Sequence, residues 1–238
     1  MTLADWLAKH PYLEPVADLH ARLDAALAAI ATPAAGLPDW AAYAPDFHAG
    51  VPLLESTAAA IDLAPVERTL EPLLAELSKT PLANRRDEPG WQRFLGSMIL
   101  ARYLSSVVHA FGSWRDEERW FRNACPTCGA APAMAQLIGN DPGRERLLSC
   151  GCCRTRWRFQ RTQCPFCEGS DARPVVVLEI AGEGGLRIDY CESCRGYLKT
   201  YNGTGSEAVM LADWTSLHLD FLARDRGLER RAASLYAL

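Results

Sequence analysis

The sequence predicts an α+β protein in which an N-terminal all-α region is followed by two tandem four-cysteine β modules and a C-terminal helix. Three observations carry this prediction. Apolar residues recur at three- and four-residue steps in the first 119 residues, short β-rich runs bounded by glycine and proline take over after Trp120, and eight of the nine cysteines fall into four CxxC pairs. The boundaries expected from these changes of texture are 1–120 for the helical domain, 121–162 and 163–206 for the two cysteine modules, and 207–238 for the terminal helix and tail.

In the helical part, Val16, Leu19, Leu23, Leu27 and Ile30 line one face of a helix that starts near Pro15 and is ended by Pro33 and Gly36. Proline-rich punctuation follows. A second helix is expected from Val51 to about Ile61. A third begins near Pro65 and runs through Leu70, Leu73, Leu74 and Leu77 to the break at Thr80 and Pro81. The run Trp91–Phe111 is apolar on almost every face, with Arg93 and Arg102 as its charged residues, which places it at the centre of a bundle.

Beyond Trp120 the candidate strands are Ala133–Ile138, Arg146–Leu148, Arg154–Gln160, Val175–Ile180, Leu186–Tyr190 and Tyr197–Tyr201. Each is too short to stand without further bracing. A last helix is expected from Asp213, with Asp213 as N-cap and Leu217, Phe221 and Leu222 on its buried face, packed on a β module or on the bundle.

The cysteine pairs are Cys125/Cys128, Cys150/Cys153, Cys164/Cys167 and Cys191/Cys194, so one unit of CxxC, spacer and CxxC is written twice. Each pair sets two sulfurs on a tight knuckle, and two facing knuckles complete a tetrahedron that suits Zn²⁺ or a single iron. The reading is two mononuclear metal ions per chain, one at Cys125, Cys128, Cys150 and Cys153 and one at Cys164, Cys167, Cys191 and Cys194. An interleaved arrangement, first pair with third and second with fourth, stays open. Redox dithiols are the competing use of CxxC, but those open a helix in a βαβ context, whereas these lie between hairpins. Cys152, inside the second knuckle, is a bystander thiol or a competing ligand. In Cys125-Pro126-Thr127-Cys128-Gly129 the proline fixes the turn, and the glycine suits a positive φ that aims amides at sulfur. In the third and fourth knuckles the glycine is delayed to Gly169 and Gly196.

Counting Lys and Arg against Asp and Glu, residues 1–119 carry −6, 120–163 carry +5 and 168–207 carry −3, within a chain of net −4. Four thiolates on a divalent ion leave about −2, so nearby arginines have an electrostatic reason to be there. Arg154, Arg156 and Arg158 alternate along one expected strand, opposite Thr155, Trp157 and Phe159. That stripe balances thiolate charge or offers an anionic partner a surface. The histidines His10, His20, His48, His109 and His218 lie outside the cysteine region with no ligand spacing, and read as ordinary core or surface residues. The sequence contains no phosphate loop, dinucleotide fingerprint or nucleophile elbow.

At 238 residues and 49% hydrophobic, the chain can build one or two cores. Its first residues lack a basic region followed by an apolar stretch, and thiols at metal spacing need a reducing compartment, so a cytoplasmic location is expected.

The segments CPTCG, LSCGCC, RTRWRFQRTQCPFC, DYCESCRGYLKTY and ADWTSLHLDFLARDRG, within about 122–227, together resemble the formate dehydrogenase accessory protein FdhE family. The resemblance implies two rubredoxin-like, zinc-ribbon-like modules binding iron through all eight paired cysteines. It also implies a non-catalytic cytoplasmic assembly factor that contacts the catalytic subunit of formate dehydrogenase. Two alternatives come from other classes: a nucleic-acid-binding protein built on zinc ribbons, against which the overall acidity argues, and rubredoxin-type electron transfer.

Overall fold

The computed structural model describes residues 1–30, 34–56, 62–77, 89–167 and 174–232. The expected stop at Pro33, the far end of the Val51–Ile61 helix, the Thr80–Pro81 break and Gly169 lie outside the described residues.

Helix α1 (Leu3–Lys9) opens on a reciprocal capping box: the Thr2 hydroxyl accepts from the Asp5 amide and the Asp5 carboxylate accepts from the Thr2 amide. A 3₁₀ turn (Pro11–Leu13) leads into α2 (Glu14–Ala29), which buries Leu19, Leu23 and Leu27. Helix α3 (Trp40–Ala49) falls where the sequence reads as punctuation. Asp39 caps it by accepting from the Ala41 amide, and Gly50 closes it at φ +82°, so the local signals were there but masked by neighbouring prolines. Helix α4 (Leu53–Ser56) is a single turn, and α5 spans Ala64–Leu77.

The apolar run from Trp91 is not one central helix. It divides at Leu104 into α6 (Pro89–Tyr103) and α7 (Ser105–Trp114), bent by 61°. The two halves serve different cores. Leu95, Met98 and Ile99 of α6 close a three-helix cluster with α2 and with Leu73 of α5, whereas Val107 and Phe111 of α7 pack on the β-sheet. Among the described residues no single helix is long and apolar enough to cross a membrane; this bent pair passes together by length and composition, and Leu95, Ile99, Leu104, Val107 and Phe111 within it are buried in the protein.

The strands are β1 (Pro132–Ile138), β2 (Glu145–Cys150), β3 (Arg156–Phe159), β4 (Val176–Glu179), β5 (Leu186–Tyr190), β6 (Gly196–Asn202) and β7 (Glu229–Arg230). They form one sheet in the order β3-β2-β1-β6-β5-β4, with β7 against β6. Each cysteine unit is an antiparallel three-strand meander. The two meanders are fused edge to edge by the parallel pairing of β1 with β6, Met134 opposite Lys199 through Leu137 opposite Asn202. Because β1, β3, β4 and β6 run the same way, all four knuckles fall at one end of the sheet.

Alternation along the strands sends residues to two covered faces. Ala135, Leu148, Trp157, Phe159 and Leu198 meet α3, α4 and α7. Met134, Leu186, Ile188, Tyr197 and Tyr201 meet α1, α8 (Glu207–Met210) and α9 (Leu217–Asp225). The first helix in the sequence therefore packs beside the last one, on the face opposite α7.

Three expectations about side chains are corrected. Asp213 makes no cap; it begins a 3₁₀ turn (Asp213–Ser216), and its carboxylate takes the buried Lys199 ammonium at 2.7 Å and Arg230 at 2.7 Å. Phe221 is exposed, because α9 starts at Leu217 and turns Leu219, Asp220 and Ala223 inward with Leu217. Arg154 does not belong to β3: its backbone is left-handed (φ +62°), the conformation needed to leave the second knuckle.

Candidate metal centres

Each knuckle is built by the backbone before any metal is considered. In three of them the amide of the first cysteine donates to a carbonyl five residues on: Cys125 to Ala130, Cys150 to Thr155 and Cys191 to Gly196, each at 2.9 Å. The chain must then reverse, and the residue after the second cysteine takes a positive φ in the same three: Gly129 (+74°), Arg154 (+62°) and Arg195 (+58°). Arg195 takes the strained position, leaving Gly196 to enter β6. Amides donate to sulfur from Cys152 to Cys150 Sγ and from Phe166 to Cys164 Sγ at 3.3 Å, and from Gly196 to Cys194 Sγ at 3.4 Å.

The first knuckle faces the second and the third faces the fourth. Cys125 Sγ lies 3.5 Å from Cys153 Sγ and Cys128 Sγ 3.4 Å from Cys150 Sγ; in the other group, the Cys164–Cys194 and Cys167–Cys191 sulfurs are both 3.7 Å apart. All four sulfurs of each group lie within 4.8 Å of one another. A disulfide needs about 2.05 Å, whereas a metal–sulfur bond of about 2.3 Å sets a tetrahedral edge of about 3.8 Å. The second group has that spacing and the first is slightly tighter, so both donor sets fit one ion each.

Charge leads to the same fit. Burial pushes the Cys125 thiol above its usual range, and burial likewise raises Cys164. Four adjacent sulfurs cannot all ionise in an apolar surround without a cation, and a divalent ion reverses that balance. The sets are closed, with four protein donors and no position for water, so they match structural or rubredoxin-type ions and not a water-activating one.

Cys152 stays outside the four-sulfur groups. It is half-buried, its amide donates to Cys150 Sγ, and its thiol lies against Cys128 and Ser97. The arginines diverge. Arg154 is exposed and lines a cleft of about 550 Å³ with Asp24, Met98, Arg102, His109 and Cys153. Arg156 turns along the sheet to hydrogen-bond Gln136, and Arg158 is half exposed, 3.2 Å from Glu145. They do not form one row of free guanidinium groups, because Arg154 precedes the strand and Arg156 has a buried amide to satisfy.

Sequence reasoning missed one group. His10 and His218 converge on Glu183 although they lie at opposite ends of the chain. No local spacing signals this, since α1, a β-turn and α9 each contribute one residue.

No protein-family model matches this chain. Similar curated proteins share the name Protein FdhE homolog. That of Aquifex aeolicus is 28% identical over 134 residues (54% of this chain, 47% of that protein). That of Pseudomonas aeruginosa is 38% identical over 123 residues (48% and 39%), and that of Pseudomonas putida 33% over 150 residues (60% and 46%). The chain thus matches under half the length of these relatives. The crystal structure of the FdhE protein from Pseudomonas aeruginosa superposes with a TM-score of 0.61, at 23% identity, over 95% of this chain and 89% of that one. The two share a fold.

Proposed function

We propose, on the premise that this chain belongs to the FdhE family, that it is a non-catalytic, cytoplasmic accessory protein for formate dehydrogenase maturation. In this reading Cys125, Cys128, Cys150 and Cys153 ligate one metal ion and Cys164, Cys167, Cys191 and Cys194 a second, and the metal-bearing end of the protein contacts the enzyme's catalytic subunit. We assign iron on family grounds; zinc is accepted by the same thiolates.

The observation that carries the reading is the placement of two closed four-sulfur groups at one end of a single sheet. A closed tetrahedron cannot polarise a substrate; it fixes the loops around it. Two such centres side by side shape a firm docking surface. Arg154 and Arg158 are the outward members of the arginine set and would meet an acidic partner, while Arg156 holds Gln136 in place.

The test is an anaerobic pulldown from native cytosol, with metal analysis of the bait. Two equivalents of metal and recovery of the formate dehydrogenase catalytic subunit are expected, with weaker recovery and a flatter salt dependence for Arg154→Ser/Arg158→Ser. Absence of that subunit from the wild-type bait, together with normal formate dehydrogenase activity in a deletion strain, overturns the proposal. If the double variant still binds and restores activity, these arginines serve the thiolate charge alone.

A further inference from the structure

A third group of ligand-type side chains lies apart from both cysteine sites. His10 terminates α1, Glu183 sits in the turn between β4 and β5, and His218 is the second residue of α9. Their donor atoms lie within 4.8 Å of one another. His218 Nε2 is 2.6 Å from Glu183 Oε2, and His10 Nε2 is 3.7 Å from the same oxygen. The His10 and Glu183 side chains are 10% and 14% exposed and that of His218 18%, so the group is enclosed yet open on one side to solvent.

The arrangement is unusual as a plain hydrogen-bond network. One carboxylate oxygen serves His218 and leaves His10 Nε2 buried with no hydrogen-bond partner. The two imidazoles stack face to face, centroids 5.0 Å apart and planes 17° apart, with Trp6 packed on His10 at 4.0 Å. Tyr12 Oη and His10 Nδ1 share a hydrogen bond of 3.0 Å, so the second ring nitrogen is occupied and Nε2 is the atom aimed at Glu183. A hydrogen-bonded distal nitrogen is the usual companion of a metal-bound imidazole, because it fixes the ring and its tautomer.

We propose that His10, Glu183 and His218 form a third metal site, for a first-row divalent cation of the zinc class, with a remaining position for water. Two imidazoles and one carboxylate are a ligand set of borderline cations such as Zn²⁺ and Co²⁺, and three protein ligands leave the coordination open, unlike the closed sulfur sites. Burial lowers the His10 pKa, with Glu183 opposing it, a direction that favours the neutral ring. An ion here also ties α1 to α9 across the turn before β5, joining the two ends of the described chain.

The test does not depend on the proposed function. The full-length protein, with its eight paired thiolates first filled by Zn²⁺ and excess metal removed, is titrated with Co²⁺. A third equivalent is expected, with ligand-field absorption lacking sulfur-to-cobalt charge transfer. In Glu183→Gln and His218→Asn the third equivalent is lost while two zinc ions per chain remain, which also reports that the variants are folded. Exposed Tyr12 gives a milder probe, and Tyr12→Phe should weaken Co²⁺ binding about tenfold. Wild-type protein that takes up no Co²⁺ beyond its two zinc ions, or a Glu183→Gln variant that binds it as tightly as wild type, overturns the site.

Discussion

The guanidinium of Arg146, on β2 of the first cysteine meander, lies 3.5 Å from the carboxylate of Asp189, on β5 of the second, and both side chains are enclosed. Strands β1 and β6 separate them in the sheet, so the pair reaches across one face and spans the junction between the meanders. Asp189 also accepts from the Thr200 hydroxyl at 2.9 Å, and Arg146 donates to the Gln163 carbonyl at 3.0 Å, beside the third knuckle. A buried pair is weak evidence of net stability, but removal of one partner strands the other charge. Asp189→Ala should cost about 3–5 kcal/mol, read as a lower urea midpoint for the metal-loaded protein. Arg187 is also paired with this carboxylate, at 2.9 Å, and stays behind in Arg146→Met/Asp189→Leu, so that double variant should recover only part of the loss.

His20, on α2, stacks on Trp214 with centroids 4.9 Å apart. Burial, reinforced by Arg154 and opposed by Asp213, pushes its pKa down to about 4. The unfolded chain has a value of about 6.5. Between these limits the unfolded state binds a proton that the folded state refuses, so the stability is complete above about pH 6.5 and is lost as pH falls through about 4. The loss reaches about 3 kcal/mol. An NMR titration of the His20 ring should show the low midpoint, and urea unfolding should fall less steeply with acidification in His20→Gln than in wild type. A midpoint near the unfolded value would remove the basis for this pH dependence.

The β half was legible because its signals are local. Period-two alternation and knuckle spacing are written within each segment, and β5, expected at Leu186–Tyr190, has those bounds in the structure. The helical half was less so. Leu104 breaks the Trp91–Phe111 run where no proline or glycine marks a stop, because the two halves meet different cores; that is a tertiary decision. Asp213 carries an N-cap residue type, yet Lys199 and Arg230 claim its carboxylate, and neither is near it in sequence. The sheet's continuity through β1 and β6 depends on edge pairing that no periodicity encodes. The His10–Glu183–His218 group is invisible for the same reason: its members meet only once α1 crosses to the face covered by α9.

Cys128 and Cys152 offer a contrast within one site. Cys128 Sγ is one corner of the first group, whereas Cys152 contributes its amide to Cys150 Sγ. Cys128→Ser should therefore remove one metal equivalent and unfold the first meander, whose strands are short for the entropy of ordering them. Cys152→Ser, which keeps the amide, should retain two equivalents at the sulfur sites. Metal content and near-ultraviolet circular dichroism separate the two cases; loss of metal from Cys152→Ser would make that thiol a ligand.

The two sulfur sites should release metal at different rates. In the first, Cys125, Cys150 and Cys153 are buried, and α4 covers the knuckle: the Leu53 and Leu54 amides donate to Pro126 and Thr127 carbonyls at 2.9 and 2.8 Å. Thr127 and Thr155 hydroxyls, 2.7 Å apart, pin the two knuckles together beneath it. In the second, Cys167 and Cys194 are half-buried, and cover comes from the C-terminal arm, where Arg195 donates to the Arg226 and Gly227 carbonyls and Arg231 to that of Cys194. Those contacts are exposed, and exposed hydrogen bonds open at lower free energy than a helix-covered core. A chelator in excess should therefore extract metal in two phases, the second site first and the first site about tenfold slower, equivalent to about 1.4 kcal/mol of extra opening free energy. Cys128→Ser, left with the second site, should show the fast phase alone, and Cys167→Ser the slow phase alone. Equal rates in the two variants would mean that the helical cover over the first knuckle does not protect its metal.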